Sequence, residues 1–134
     1  MRAKTINLIV LLGCVLFVLP LIAQHGHPLV GSWHGAWGPT PAHRNDVTVI
    51  MEFDGDNVTG MLNPGPESVR LQTVTLNPTN WTVHFEADTK DRAGNVVRFI
   101  ADGKLEDLGS PTRSIAGTWN HGTVKGDFKI TRDH

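Results

Sequence analysis

From residue 28 onward, apolar side chains recur at every second position, and this pattern most limits how the chain can fold. The segment 46–53 reads "DVTVIMEF", with Val, Val, Met and Phe at alternate positions. The segments 81–85 ("WTVHF") and 127–130 ("DFKI") repeat the pattern. An amphipathic helix would need apolar residues every three or four positions, and proline and glycine recur too often here for long helices. The alternation predicts β-strands with one buried face.

Turn-forming residues separate these segments. "DGDN" at 54–57 and "DRAGN" at 91–95 are typical of tight connections between antiparallel strands. We predict an all-β domain, an up-and-down antiparallel meander of about eight strands that closes into a barrel and so removes its edges. The predicted strands lie near residues 30–37, 46–53, 57–62, 68–76, 80–88, 95–103, 113–120 and 125–132.

The N-terminus has the pattern of an export signal. A basic start and an apolar run over residues 8–23 precede an abrupt polar change at Gln24. We predict a helical secretory signal peptide at 1–24 and a single β-barrel domain at 25–134, secreted or periplasmic and not membrane-bound after cleavage. A retained anchor and a lipoprotein processed at Cys14 are the alternatives. Since Cys14 is the only cysteine, the exported domain is expected to lack disulfides.

Charge and motifs narrow the function classes. Twelve Lys and Arg against 13 Asp and Glu give a formal net charge of −1, which does not favour nucleic acid as a partner. The scattered carboxylates have no spacing typical of an acid–base pair. No nucleophile motif and no phosphate-binding glycine loop is found in the sequence. We therefore predict no catalytic residues, and a binding protein rather than an enzyme.

Two similar segments lie near the ends of the barrel domain. "GSWHG" at 31–35 and "GTWNHG" at 117–122 each place a glycine two residues before a tryptophan. In a closed meander the first and last strands meet, which would bring Trp33 and Trp119 near the seam. Glycine leaves room on the same face for a bulky ring, or for a sharp bend in the strand. Arg132 on the last strand is placed to stack on one of these indoles.

These residues resemble a known group of barrels. The Gly-x-Trp on the first strand, the late arginine and the stretch "VGSWHGAW…VTVIMEFDGDNVTGML" over 30–62 are similar to the calycins, the lipocalin-type and avidin-type barrels. The resemblance implies a small secreted barrel. It implies structural roles for Trp33 and Arg132, as a plug that closes one barrel end, and it does not identify a ligand.

The first functional hypothesis is that the barrel binds a small apolar or aromatic ligand. Sites of this kind are mostly apolar with a few fixed polar groups. The predicted wall is Trp37, Trp81 and Trp119, with polar groups from His34, His84, Arg98 and Asn120.

Two other hypotheses remain open. The second hypothesis is a non-catalytic envelope or protein-interaction module. Its barrel has a solid core, and wide loops at 38–44 and 108–113 contact the partner. The third is a copper site at the mature N-terminus, with His25 and His27 as ligands, because an N-terminal histidine offers its amine and its ring together. No other cofactor is expected.

Overall fold

A computed structural model of the chain describes residues 27–133, and its regular structure is entirely β-strand. The strands are β1 (Gly31–Thr40), β2 (His43–Phe53), β3 (Val58–Leu62), β4 (Val69–Leu71), β5 (Thr73–Asn77), β6 (Thr82–Lys90), β7 (Val96–Glu106), β8 (Ser114–His121) and β9 (Val124–Arg132). The all-β prediction is confirmed. The predicted signal peptide lies outside the described residues. Within residues 27–133, no helix has the length and hydropathy needed to span a membrane.

One antiparallel sheet contains all nine strands, in the order β4-β3-β2-β1-β9-β8-β7-β6-β5. The first and last strands pair side by side, with Trp33 opposite Arg132 and Gly38 opposite Asp127. The predicted up-and-down meander with meeting terminal strands is therefore confirmed. The sheet curls into a nearly closed barrel, which covers most of the backbone edge that an open sheet would expose.

The strand predicted at 68–76 is divided in two, so the barrel has nine strands rather than eight. The backbone bends at Gln72, between β4 and β5. Strand β4 pairs with β3 on one side of the bend, and β5 pairs with β6 on the other. The Gln72 N–H donates to the Glu86 carbonyl at 2.8 Å. The two edge strands of the sheet, β4 and β5, are thus neighbours in the chain, and the bend between them nearly closes the barrel.

The core follows the predicted alternation. Alternate residues of each strand point inward, and the largest fully buried side chains are Trp33, Leu29, Met51, Ile115 and Val83. Burying an aliphatic side chain of this size contributes about 1.5–3 kcal/mol. Other positions on the inward faces are filled by Val47, Val49, Leu71, Phe85, Ala87, Phe99, Ala101, Leu105, Trp119, Phe128 and Ile130.

Two aromatic residues depart from the predicted alternation. Phe53 is 39% exposed and stacks on the His27 ring, with centroids 5.6 Å apart. Trp81 lies before β6 in a left-handed conformation with φ 59°, and its N–H donates to the Asn77 carbonyl. Because it belongs to the turn, Trp81 is half-buried at one end of the barrel rather than on the inward face of a strand.

The predicted turns form through side-chain hydrogen bonds. Asp54 accepts from the backbone N–H groups of Asp56 and Asn57, and these bonds lower the pKa of its carboxyl group. Asp91 accepts from the Asn95 N–H, with the same effect on its pKa. In each turn the carboxylate oxygen accepts hydrogen bonds from backbone N–H groups that would otherwise have no partner in the turn.

The wide loop expected at 38–44 is instead a tight hairpin between β1 and β2. Thr40 pairs with His43, with 2.9 Å between Thr40 Oγ1 and His43 Nδ1. The pairing register shifts between Trp37 and Thr40, so the extra residues are absorbed by a bulge. Arg44 fixes the hairpin from outside through an ion pair with Asp127. The longer connection expected at 108–113 is present, between β7 and β8.

The segment His27–Val30 packs across one end of the barrel, which we call the sealed end. Leu29 and Trp33 are both fully buried there. The Trp33 Nε1–H donates to the Leu29 carbonyl at 2.9 Å. Arg113 Nη1 donates to the carbonyl of Pro28, and Arg132 Nε donates to that of Val30. An indole and two guanidinium groups thus hold this segment in place.

Candidate functional site

A small cavity lies inside the barrel, toward the end opposite the sealed one, which we call the aromatic end. Its free volume is about 40 Å³. Among the lining residues that lie within 27–133, Asn63 is the one polar residue. Every strand except β5 contributes at least one residue to the lining. The other lining residues are Trp37, Val47, Val49, Leu62, Leu71, Phe85, Phe99, Ala101, Trp119, Phe128 and Ile130.

Three aromatic rings form one side of this cavity. The Trp37 and Trp119 rings have centroids 5.0 Å apart and are tilted by 52°. Phe99 meets Trp37 edge to face at 5.9 Å and lies nearly parallel to Trp119 at 6.4 Å. Aromatic pairs at such distances contribute about 0.5–1.5 kcal/mol each beyond the area they bury. The three rings present a continuous apolar wall.

The two indoles differ in how firmly they are held. The Trp119 Nε1–H donates to the Asp127 carbonyl at 3.0 Å. Gly126 makes room for this ring, since a Cβ there would lie 2.8 Å from Trp119 Cε2. Trp37 is half-buried, and within residues 27–133 no group accepts a hydrogen bond from its Nε1. Trp119 is therefore held by a hydrogen bond to the backbone, whereas the Trp37 indole has no such bond within residues 27–133.

Asn63 occupies the exposed rim of the cavity. It follows β3 with φ 48°, and its Oδ1 accepts from the Thr48 N–H at 3.0 Å. Sequence reasoning missed both Asn63 and Phe99 as wall residues. The alternation within 95–103 did contain a signal for Phe99, since it shares a face with Ala101. Nothing local distinguishes Asn63 from any other turn asparagine.

The structure brings together two of the three predicted wall tryptophans. Trp37 and Trp119 line the cavity, whereas Trp81 lies in the turn before β6. Trp81 accepts a hydrogen bond from the Leu105 N–H through its own carbonyl. Trp81 thus lies beside the start of β6 and the end of β7, away from the aromatic wall.

None of the four predicted polar groups lines the cavity. His34 is exposed on the outer face, with its Nδ1 2.5 Å from Asp133. Asn120 is exposed beside Trp119 and borders a shallow outer groove together with Pro39 and Pro41. The reason is the strand period: residues next to an inward-pointing tryptophan point outward.

His84 and Arg98 instead belong to a polar cluster on the outer face of β6 and β7. His84 lies between two carboxylates, with Nδ1 2.5 Å from Asp102 and Nε2 3.0 Å from Glu86. The hydrogen bond to Asp102 raises the pKa of His84, and partial burial opposes this only in part. Arg98 contacts Asp88 at 3.3 Å. The cluster is accessible to solvent, so it stabilises the sheet only modestly.

Trp33 and Arg132, the predicted plug, lie together at the sealed end. They face each other across β1 and β9, and each donates to a carbonyl of the segment 27–30. The Gly-x-Trp pattern predicts that Gly31 makes room for the indole of Trp33. In the structure, the indole is not the group that lies against Gly31. A Cβ at Gly31 would instead lie 2.7 Å from Arg132 Nε.

Of the two predicted copper ligands, His25 lies outside the described residues. The His27 Nδ1 accepts from the Leu29 N–H at 3.2 Å, and burial lowers the pKa of its imidazole. Within residues 27–133, no three His, Cys, Asp or Glu side chains are arranged to hold a metal ion. A copper site at the mature N-terminus stays a prediction.

The fold and the cavity define a class: a small antiparallel β-barrel, nearly closed, with an apolar interior and an aromatic wall. This architecture is compatible with the calycin fold. Comparison of the chain with protein-family models, with curated proteins and with solved structures gives no significant match.

Proposed function

We propose that this protein binds a small, largely apolar ligand inside the aromatic end of its barrel, against Trp37, Phe99 and Trp119. The observation that carries the proposal is the asymmetry of the barrel. One end is filled by Trp33 and the segment 27–30, while the other contains a cavity with an apolar lining and one polar rim residue, Asn63. A mostly apolar pocket with few polar groups is typical of small-molecule sites.

The size of the cavity determines how a ligand would enter. A cavity that binds benzene has a volume of roughly 150 Å³, whereas the free volume here is about 40 Å³. Binding therefore requires a wall side chain to move. Trp37 is the candidate, because it is half-buried and makes no indole hydrogen bond within the described range, whereas Trp119 is tied to Asp127. In the bound state the Trp37 N–H is available to a ligand acceptor.

The chemistry of the wall defines the ligand class. Flat aromatic or aliphatic groups gain most from contact with three rings, at about 25 cal/mol for each Å² of apolar surface removed from water. Since the lining contains no charged side chain, a charge on the ligand must remain at the rim near Asn63. We infer a compact apolar body with at most one polar end.

The test is titration of the purified protein with toluene, 2-naphthol, decanoate and a sterol, followed through its indole N–H signals by ¹H–¹⁵N NMR. A bound ligand should shift the signals of Trp37 and Trp119 and leave that of Trp33 in place. Ala101→Val fills the cavity and should weaken binding at least tenfold. Ala116→Val is the matched control, since Ala116 lies opposite Lys104 on the outward-facing side of the next strand. Unchanged indole signals with all four compounds, or equal binding by Ala101→Val, would overturn the proposal.

The second candidate is a solid barrel that acts as a non-catalytic envelope or protein-interaction module. The small free volume favours it. The outer groove at Pro39, Pro41 and Asn120 is the surface of the aromatic end that such a partner would contact. Absence of ligand binding in the titration would favour this candidate.

We also propose that the protein is exported and processed near Gln24. The basic start and the apolar run over 8–23 support this. Mass spectrometry of the protein recovered from the producing cells gives the mature N-terminus. Only a terminus at His25 leaves the copper hypothesis standing, and a mature chain that retains Gln24 rejects it.

A further inference from the structure

Two arginines converge at the sealed end, on the opposite side of the molecule from the aromatic cavity. Arg113 immediately precedes β8 and Arg132 ends β9, and these strands pair with Ser114 opposite Thr131. The Arg132 N–H donates to the Arg113 carbonyl at 2.8 Å. Neighbouring backbone positions thus place the two guanidinium groups on the same small surface.

Among residues 27–133, neither guanidinium has a carboxylate partner. Within residues 27–133, the acid nearest in sequence, Asp133, pairs with His34, and no Asp or Glu lies within 4.0 Å of Arg113 or Arg132. The rest of the sequence, 1–26 and residue 134, contains no Asp or Glu side chain. Burial and the charge of Arg132 together lower the pKa of Arg113. Two positive charges therefore lie side by side without a counter-charge from any side chain of the chain.

The two side chains also have unused donors. Each guanidinium offers five N–H groups, and the hydrogen bonds to the carbonyls of Pro28 and Val30 use one nitrogen of each. Arg113 Nε and Ser114 Oγ are buried with no partner within the described residues. A buried donor without an acceptor is costly. Arg113 Nη2 and both Nη nitrogens of Arg132 donate to no group within residues 27–133 and are not buried, so an acceptor supplied from outside the chain can reach them.

We propose that Arg113 and Arg132 form a binding site for an oxyanion, a carboxylate or phosphate group held between two guanidinium forks. The planar fork of arginine matches both groups through paired N–H···O bonds. Because both arginines also hold the segment 27–30, an anion bound between them would fasten the sealed end. The site is independent of the aromatic cavity, and its ligand has the opposite chemistry.

The experiment is thermal denaturation of the purified protein in inorganic phosphate and, separately, in acetate, each against sodium chloride at equal ionic strength. We expect a rise in Tm that grows with the logarithm of anion concentration above the dissociation constant and reaches about 5 °C at ten times that constant. A rise in phosphate alone that depends on Arg113 identifies a phosphate-type ligand, whereas an equal rise in acetate identifies a site that accepts either oxyanion. Arg113→Gln should abolish the rise. Arg92→Gln, in the exposed turn 91–95, is the matched control and should retain it.

A second measurement needs no variant and covers the case in which Arg113→Gln does not fold. The Nε–H signal of Arg113 in ¹H–¹⁵N spectra of the parent protein should shift on addition of the anion, with a dissociation constant that agrees with the one obtained from the Tm rise. Tm values equal to those in chloride, an Arg113→Gln protein that responds like the parent, or an Nε–H signal that stays fixed would each overturn the proposal. Toluene or decanoate binding at the aromatic end bears on the other site only.

Discussion

Replacing Trp33 by phenylalanine tests whether the sealed end holds the barrel together. Trp33 is fully buried, and its Nε1–H is the partner of the Leu29 carbonyl at 2.9 Å. Phenylalanine has no N–H, so this carbonyl loses its donor inside the core. An unsatisfied buried polar group costs about 1–3 kcal/mol. The smaller ring also leaves a void where the outer part of the indole packed, which costs about 1–2 kcal/mol.

The expected total is about 3 kcal/mol, a large part of the 5–15 kcal/mol that typically separates folded from unfolded domains. Urea denaturation followed by far-UV circular dichroism measures it. With a slope of about 1.5 kcal/mol per M, the midpoint should fall by about 2 M. The slope itself should not change, because the surface exposed on unfolding is nearly the same.

Trp37→Phe is the matched control. The chemical change is identical, but Trp37 is half-buried and its indole N–H has no acceptor within residues 27–133. We expect a loss of about 1 kcal/mol or less, from ring contacts alone. Equal midpoint shifts in the two variants would refute the argument that the hydrogen bond to Leu29 and the seal it makes distinguish Trp33.

Two further predictions concern the outer face and the seam. The pKa of His84 is raised, so its contribution to stability is complete below the ordinary value near 6.5 and is lost as pH rises through the folded-state pKa. Asp102→Asn should bring the His84 pKa, measured by NMR, down toward its ordinary value. Gly31→Ala should destabilise the protein by about 1–3 kcal/mol, because Gly31 has φ 138° and faces Arg132 Nε. Gly109→Ala, with no atom within 4 Å of the added Cβ, should cost less than about 0.5 kcal/mol.

Each of these has a clear contrary result. A His84 pKa that Asp102→Asn leaves unchanged would mean that the 2.5 Å contact does not control its protonation. Equal free energies of unfolding for the two glycine variants would mean that the approach of Arg132 to the first strand imposes no constraint on residue 31.

The candidate site was only half accessible to sequence reasoning. Trp37 and Trp119 both line the cavity, because both fall on inward positions of β1 and β8, the two strands that flank β9. His34 and Asn120 were assigned to the same cavity, although each is next to an inward-pointing tryptophan. Successive residues of a strand point to opposite faces. The alternation of the sequence was therefore evidence against His34 and Asn120 as cavity residues.

Other features depend on contacts that are distant in sequence. The convergence of Arg113 and Arg132 arises from the pairing of β8 with β9 and from the segment 27–30 folding back across the barrel end. The bend at Gln72 exists because the two halves of one segment pair with different strands, β3 and β6. The left-handed conformation of Trp81 removes it from the strand face that its spacing suggested.

Most strands, most turns and most inward faces follow from the amino-acid sequence alone, because alternation and turn chemistry act between residues only a few positions apart. The meeting of the first and last strands also follows from the meander, since pairing them is how an up-and-down sheet closes into a barrel. Only the tertiary structure decided which barrel end is sealed, how little space remains inside and which charges are left without partners. Those properties depend on side chains up to about a hundred positions apart, and no local pattern records such distances.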